Sequence, residues 1–316
     1  MPAPTGARPD GVETLLPAHG RFGEIDPASD LCQRWSDRAH SWVRRSAGGF
    51  DSSRYSVAAI DETTAKSYVT RHHYSGTYPA AARRFGLFLD TTCGPDLLGV
   101  AVFGIPAQVR VLTNVFPTLE PYVASLELSR FVLEGDSPVR ATGRAERRPV
   151  AGRAPGNSES WFLARCFAQL AATGVRGVVS FADPVPRRVG GVLLFPGHVG
   201  TIYQASNALF TGRGTARTIT VLPNGMSVSD RALSKVRLAE QGHEYVERRL
   251  IAAGARPLRA GVTGAAWLTD ALEDVGALRI RHAGCLRYAM VTSRADRGRI
   301  RVGPAALPYP KSADNA

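Results

Sequence analysis

The chain has 316 residues, 44% hydrophobic and 21% charged, which is enough apolar material for a sizeable core and excludes wholesale disorder. No apolar run reaches the roughly 18 residues that a membrane-spanning helix needs. The opening MPAPTGARPDGVETLLPAHG has no basic start followed by an apolar block, so no membrane span and no secretion signal are expected. The net charge of +12, with a pI of about 10.1, favours a polyanionic partner, nucleic acid first.

Residues 1–54 are rich in Pro, Gly, Asp and Ser, and read as a partly disordered extension carrying one short helix near Trp35–Val43. Regular patterning begins at YSVAAID. It gives a strand over 56–60 and a helix over 62–73, with Asp61 as its N-cap. RRFGLFLD and LLGVAVFG follow as a hairpin closed by TTCGPD, and SLELSRFVLE is a further strand. A loop over 135–156 carries Arg140, Arg144, Arg147, Arg148 and Arg153, placed to meet DNA phosphates. NSESWFLARCFAQLAATG then opens a helix capped by Asn157 or Ser158, with Glu159 in its first turn. GVVSFAD is a buried strand ending at Asp183, and GHVGTIYQASN a turn and short helix. ARTITVLPNGMSVS is a hairpin about Asn224-Gly225, and helices over 229–253 and 264–275 precede a last strand, CLRYAMV. The order predicts a mixed α/β sheet, largely antiparallel, with helices on both faces. Its expected organisation is an extension over 1–54, one continuous domain over 55–295 and a tail over 296–316. The four cysteines (Cys32, Cys93, Cys166, Cys285) are scattered, which suits a reducing cytoplasm over a disulfide scaffold.

Three segments carry chemistry. A strand end followed by a capped helix is how acyl-CoA-dependent N-acyltransferases present backbone N–H groups to a pyrophosphate, which makes Arg130, Asn157, Ser158 and Glu159 candidate cofactor contacts and Ser160 a candidate catalytic hydroxyl. RATGRA (140–145) fits the R-x-x-G-x-A pattern of that family, and RRVGGV is a near match whose Arg187 and Arg188 are further candidate DNA contacts. Asp183, at the carboxyl end of a strand, suits a general base or a metal ligand. RHHYSGTYP ends a helix with His72, His73 and Tyr74; the two histidines cannot share a helix face, so at most one joins Tyr74 inward. With Asp183 and Tyr203 available, an adjacent His-Tyr pair would make a nitrogen-oxygen donor set suited to iron or manganese. Tyr78, Tyr203, Gln204 and Asn207 are candidates to stack on and hydrogen-bond a base taken out of the helix.

Taken together, RHHYS, FGLFLD…LLGVAVFG, LELSRFVL, NSESWFLARCFAQL, VVSFADP, GHVGTIYQASN and CLRYAMV resemble the Mom family of phage and bacterial DNA-modification proteins, in order over about residues 56–292. The resemblance implies a GNAT-like acyltransferase fold. It implies conversion of the exocyclic amino group of adenine in duplex DNA to a carbamoylmethyl (acetamido) derivative, which protects DNA from restriction. It implies an iron site that falls here on His73, Tyr74, Asp183 and Tyr203, the last three also catalytic. Acetyl-CoA or another small donor is implied by the GNAT likeness alone, since acetyl transfer would give an amide, not an alkylated amine. VPRRVGGVLLF departs from the family by inserting residues between Asp183 and Gly197. The expected setting is the cytoplasm of a bacterial or phage-infected cell, with double-stranded DNA as partner, no membrane, and a homodimer among the open oligomeric states. The alternatives are a GNAT-type N-acetyltransferase acting on a small amine or tRNA, and a non-catalytic DNA-binding protein.

Overall fold

The computed structural model describes residues 31–135, 154–189 and 192–311. The loop arginines Arg140, Arg144, Arg147, Arg148 and Arg153, with the RATGRA segment, lie outside the described residues. In chain order the elements are β1 (Leu31–Ser36), β2 (Ala39–Arg44), β3 (Tyr55–Ala59), α1 (Glu62–His72), β4 (Ala81–Thr91), β5 (Gly94–Gly104), α2 (Arg110–Thr113), β6 (Ser125–Leu133), α3 (Ser158–Ala172) and β7 (Gly177–Ala182). Then come β8 (Arg187–Val189), β9 (Val192–Phe195), α4 (Thr201–Ala205), β10 (Leu209–Arg213), β11 (Arg217–Val221), β12 (Ser227–Val228), α5 (Asp230–Arg237), α6 (Glu244–Ala252), α7 (Gly264–Asp274), β13 (Leu278–His282) and β14 (Leu286–Val291). Among the described residues no helix is long and apolar enough to cross a membrane.

The described chain falls into two compact units, where continuous patterning suggested one domain over 55–295. The larger takes in residues 31–184, 198–214 and 285–311, the smaller Val185–Gly197 and Thr215–Gly284. The smaller is thus two insertions into the larger, and each insertion leaves and returns at one point. The His198 N–H donates to the Asp183 carbonyl at 2.8 Å, and the Gly214 N–H to the Cys285 carbonyl at 2.8 Å. The VPRRVGGVLLF departure is the first of these insertions, folded as the β8–β9 hairpin.

The larger unit is built on the expected mixed sheet, in the order β10-β14-β7-β6-β5-β4-β3. Every neighbouring pair is antiparallel except β6 and β7, which run parallel. Alternation along the strands sorts the core. Val178 and Ala182 of β7, with Leu286, Tyr288 and Met290 of β14, join Phe162, Leu163, Cys166 and Leu170 of α3 in one cluster. Val179 and Ala289, from the opposite face of the same strands, join Leu112 of α2 with Val115 and Phe116. Helices therefore cover both faces.

The smaller unit holds the β12-β11-β13 sheet and a cluster of Leu222, Val228, Leu233, Val236, Val246, Leu250, Trp267 and Leu268. Its helical run over 229–253 is broken between α5 and α6, where Ala239 and Gly242 take left-handed backbone (φ 49° and 80°) that an α-helix cannot continue through. β13 has no counterpart in the sequence reading, because the alternating arginines of ALRIRH hide an edge strand.

Two further readings are corrected. Residues 35–43 form the β1–β2 hairpin, in register Trp35↔His40, and not a short helix: Asp37 and Arg38 both adopt left-handed φ and make a tight two-residue turn. Asn157 stands at the N-cap of α3 with φ 73° and its side chain caps nothing, while the Ser158 hydroxyl donates backwards to the Pro155 carbonyl at 2.7 Å.

Candidate functional site

The site lies where the one parallel pair of strands parts. β6 and β7 are paired only from Ser125↔Gly177 to Leu128↔Ser180, and β6 then runs on to Leu133 without β7. The Ser180 hydroxyl donates to the Leu128 carbonyl at 3.1 Å at the point of divergence. One residue later β6 carries a bulge. Its register with β5 slips between Val102↔Arg130 and Phe103↔Leu128, leaving Ser129 as the extra residue. The position of Gly104 in β5, paired with Glu127, favours glycine, since a Cβ there would lie 2.6 Å from both the Ala80 carbonyl oxygen and the Ser129 hydroxyl.

Arg130, just past the bulge, ties β6 to the RHHYSGTYP turn. Its Nε donates to the Thr77 carbonyl at 3.0 Å and a terminal nitrogen donates to the Thr77 hydroxyl at 2.7 Å. The other terminal nitrogen reaches the Ser129 carbonyl. Expected as a cofactor contact, Arg130 is committed to the turn instead. The turn begins as α1 ends: His73 caps the helix in extended backbone (ψ 137°) while its N–H still donates to the Val69 carbonyl. The expected N-cap at the other end holds, with Asp61 Oδ1 accepting from the Thr64 N–H at 2.8 Å.

Leaving the helix is how His72 and His73 both come to be buried. The His72 Nδ1 accepts the Asp37 N–H of the hairpin turn at 3.2 Å, and its Nε2 lies 3.5 Å from Glu134. His73 turns the other way, its Nδ1 2.9 Å from the Ser75 hydroxyl and its ring 4.2 Å, centroid to centroid, from Tyr74. Burial holds its proton affinity well below that of an ordinary imidazole, and the nearby charges of Arg130 and His198 lower it further.

Asp183 follows β7 directly, at the carboxyl edge of the sheet as expected. Because His198 returns onto its carbonyl, the two side chains start from one place. Burial pushes His198 down to about 4, with the Asp183 carboxylate alone opposing it. The Asp183 carboxylate and the Cys285 Sγ lie within 4.8 Å, as the Leu286↔Ala182 register places them. Glu127 of β6 is raised by burial, against the pull of Arg130. Tyr203, on α4, is 5% exposed and is pushed up to about 12 by burial, with the nearby Ser180 hydroxyl pulling the other way. Gly200 sets that helix: its φ of 79° and a Cβ position 2.7 Å from the Tyr288 ring leave room for glycine alone.

Of the sequence candidates, His73, Tyr74, Asp183 and Tyr203 all fall in the larger unit around the parting of β6 and β7. Glu127 and Cys285 were not singled out as site residues, and His198 was given no role beyond its place among the polar residues of GHVGTIYQASN. The glycines flanking GHVG and the acid inside the apolar strand SLELSRFVLE were the available signals. Gln204, expected to face a base, instead donates to the Tyr288 hydroxyl at 3.1 Å, and Asn207 is exposed at φ 58°. Arg187 is 4% exposed with its guanidinium over the Phe195 ring at 4.6 Å, so it is closed to phosphates; Arg188 beside it is half-buried.

The start of α3 is closed as well. Arg34, fully buried, donates to the carbonyls of Ala154 (2.9 Å) and Pro155 (3.0 Å) and pairs with Glu159. Gly156 lies so close to the hairpin's exit that a Cβ would sit 2.6 Å from the Arg45 Cα. Ser160 donates to the Asn157 carbonyl at 3.1 Å. Ser158, Glu159 and Ser160 are thus engaged by the protein itself, and Asn157 stands exposed beside them.

A family model described as the Mom protein family matches residues 54–311. No curated protein matches the chain. Among solved structures, one titled "Tandem GNAT protein from the clavulanic acid biosynthesis pathway (without AcCoA)" is similar at 8% identity, over 76% of this chain and 99% of that one. Its TM-score of 0.33 is too low for the likeness to decide anything about this chain.

Proposed function

The chain belongs to the Mom protein family, a family of DNA modification, and from that premise we propose that it is a transferase converting the exocyclic amino group of adenine in DNA to a carbamoylmethyl derivative. One observation carries the chemistry. Imidazole, carboxylate and phenol groups of RHHYS, ADP and GHVGTIYQ gather in one unit where β6 and β7 part, although distant in sequence.

Burial keeps His73 and His198 neutral near pH 7, the state in which imidazole ligates a metal. The Asp183 carboxylate lies with His198 at the end of β7, and imidazole, carboxylate and phenol are the donor types that iron or manganese, hard-to-borderline ions, would take. Iron bound there would supply redox chemistry to a reaction that acyl transfer does not describe. The adenine nitrogen must give up a proton as it gains carbon. Glu127, whose proton affinity burial raises, has the chemistry of the acceptor. Acetyl-CoA fits less well. With Arg34 on the Ala154 and Pro155 carbonyls and Glu159 paired, the start of α3 offers a pyrophosphate no cradle.

The net charge of +12 supports a DNA partner. Nucleosides from plasmid DNA of cells expressing the protein test the reading. A deoxyadenosine heavier by one carbamoylmethyl group is expected, and it disappears in Asp183→Ala. Unmodified deoxyadenosine from expressing cells overturns it in favour of an acetyltransferase or a DNA-binding role.

A further inference from the structure

We infer that the β1–β2 hairpin is a stacking wall for a base lifted out of the DNA duplex, with Trp42 as its contact ring and Arg44 beside it for a phosphate. The inference rests on the adenine reading above, and it adds a face of the protein that lies ahead of the matched family region.

The hairpin is held along one face and at its turn. Arg34 is buried against the Ala154 and Pro155 carbonyls, and the Ser36 hydroxyl donates to the Gly135 carbonyl at 2.9 Å. At the turn the Asp37 N–H donates to the His72 Nδ1 and the Arg38 N–H to the His72 carbonyl, both at 3.2 Å. Alternation then sends Leu31, Gln33 and Trp35, with their partners Arg44, Trp42 and His40, to the opposite face. That face is a row of rings. Trp35 lies 5.1 Å, centroid to centroid, from Tyr74, whose ring is 4.2 Å from that of His73 in the candidate site. Outward from there His40 meets Trp35 edge-on at 6.0 Å, and Trp42 meets His40 edge-on at 6.3 Å. Exposure rises along the row: Trp35 is 6% exposed, His40 and Trp42 are half-buried and Arg44 is exposed. A tryptophan left partly in water, backed by other rings and followed by a free-standing guanidinium, pairs a flat apolar surface with a cation. Sites for unpaired nucleotides combine those two features, the ring for the base and the cation for the backbone. Gln204, which the sequence offered for contact with a base, is committed to Tyr288.

The test uses the full-length protein and two labelled duplexes, one with a single unpaired adenine and one with an abasic site in its place. Fluorescence anisotropy reads affinity at several salt concentrations. Wild type should prefer the unpaired adenine by about 5- to 150-fold, the range for one base stacked on an aromatic side chain. Trp42→Ala should bind both duplexes alike, with the wild-type affinity for the abasic one, and Trp42→Phe should keep most of the preference. Arg44→Gln should weaken both duplexes equally and lower the magnitude of the log–log salt slope by about one. A preference that survives in Trp42→Ala would overturn the wall, as would a wild type with no preference. Equal loss of both duplexes in Trp42→Ala and Trp42→Phe would make the ring a structural prop and overturn it too. The adenine reading fails separately. Unmodified deoxyadenosine in expressing cells sinks it even where Trp42→Ala abolishes the preference, and modified deoxyadenosine with the preference intact in Trp42→Ala sinks the wall alone.

Discussion

Replacing Arg34 by Met should be among the most damaging single changes in the larger unit, although residue 34 lies ahead of the matched family region. The Arg34 side chain is 0% exposed and its partner Glu159 is 11% exposed, so this pair is not a surface ion pair worth a few tenths of a kcal/mol. Removing one member strands the other. Glu159 would keep a buried charge with no cation, and the Ala154 and Pro155 carbonyls would lose their donors. Breaking a buried pair in this way costs about 3–5 kcal/mol, and the carbonyl losses overlap with that figure more than they add to it. At about 2–4 °C per kcal/mol, the melting temperature should fall by roughly 6–20 °C. Urea unfolding followed by tryptophan fluorescence reads the change close by, because Trp35 and Trp42 flank the site of substitution. The double variant Arg34→Met, Glu159→Leu should recover much of the loss, since no buried charge remains. A single variant within about 1 kcal/mol of wild type, or a double variant no better than the single, would refute the assignment of this arginine as the clamp on α3.

Metal-free protein should lose stability as the pH falls from 6.5 towards about 4, because over that range unfolded His198 takes up a proton that folded His198 refuses. The difference is at most about 3 kcal/mol, less for a ring that keeps some contact with water, and His198→Gln should flatten the slope; an equal slope in that variant would discount burial as its cause. Gly104→Ala should cost about 1–3 kcal/mol by overpacking, and adding Ser129→Gly should recover only part of it, since the Ala80 carbonyl remains 2.6 Å from the new carbon; full recovery in thermal unfolding would exclude the backbone clash. Arg130→Lys keeps the charge but loses the fork on Thr77, so iron affinity measured by chelator competition should drop by about 10- to 100-fold, and an unchanged affinity would show that the turn holds His73 unaided.

Elements with strong local signals were legible in the sequence. Asp61 announces α1, the alternation of FGLFLD and LLGVAVFG announces β4 and β5, and Asn224-Gly225 announces the β11–β12 turn, because capping, pleat and turn chemistry act within a few residues. The same local chemistry placed Asp183 at the end of β7 and freed His73 from its helix. What the tertiary structure alone decided depends on chain segments meeting at a distance. The hairpin was hidden because its turn uses Asp37 and Arg38 in left-handed backbone, without the glycine or asparagine that usually marks such turns. No local signal in the sequence marks Arg34; only the approach of the Ala154 and Pro155 carbonyls and Glu159 makes it a buried clamp. Gln204 and Arg187 looked available to DNA from their polarity alone, and their actual partners, Tyr288 and Phe195, are 84 and 8 residues away. His198 became a neighbour of Asp183 when the chain closed a hydrogen bond across the inserted hairpin. Separation in sequence says little about separation in space once a loop's two ends are pinned together.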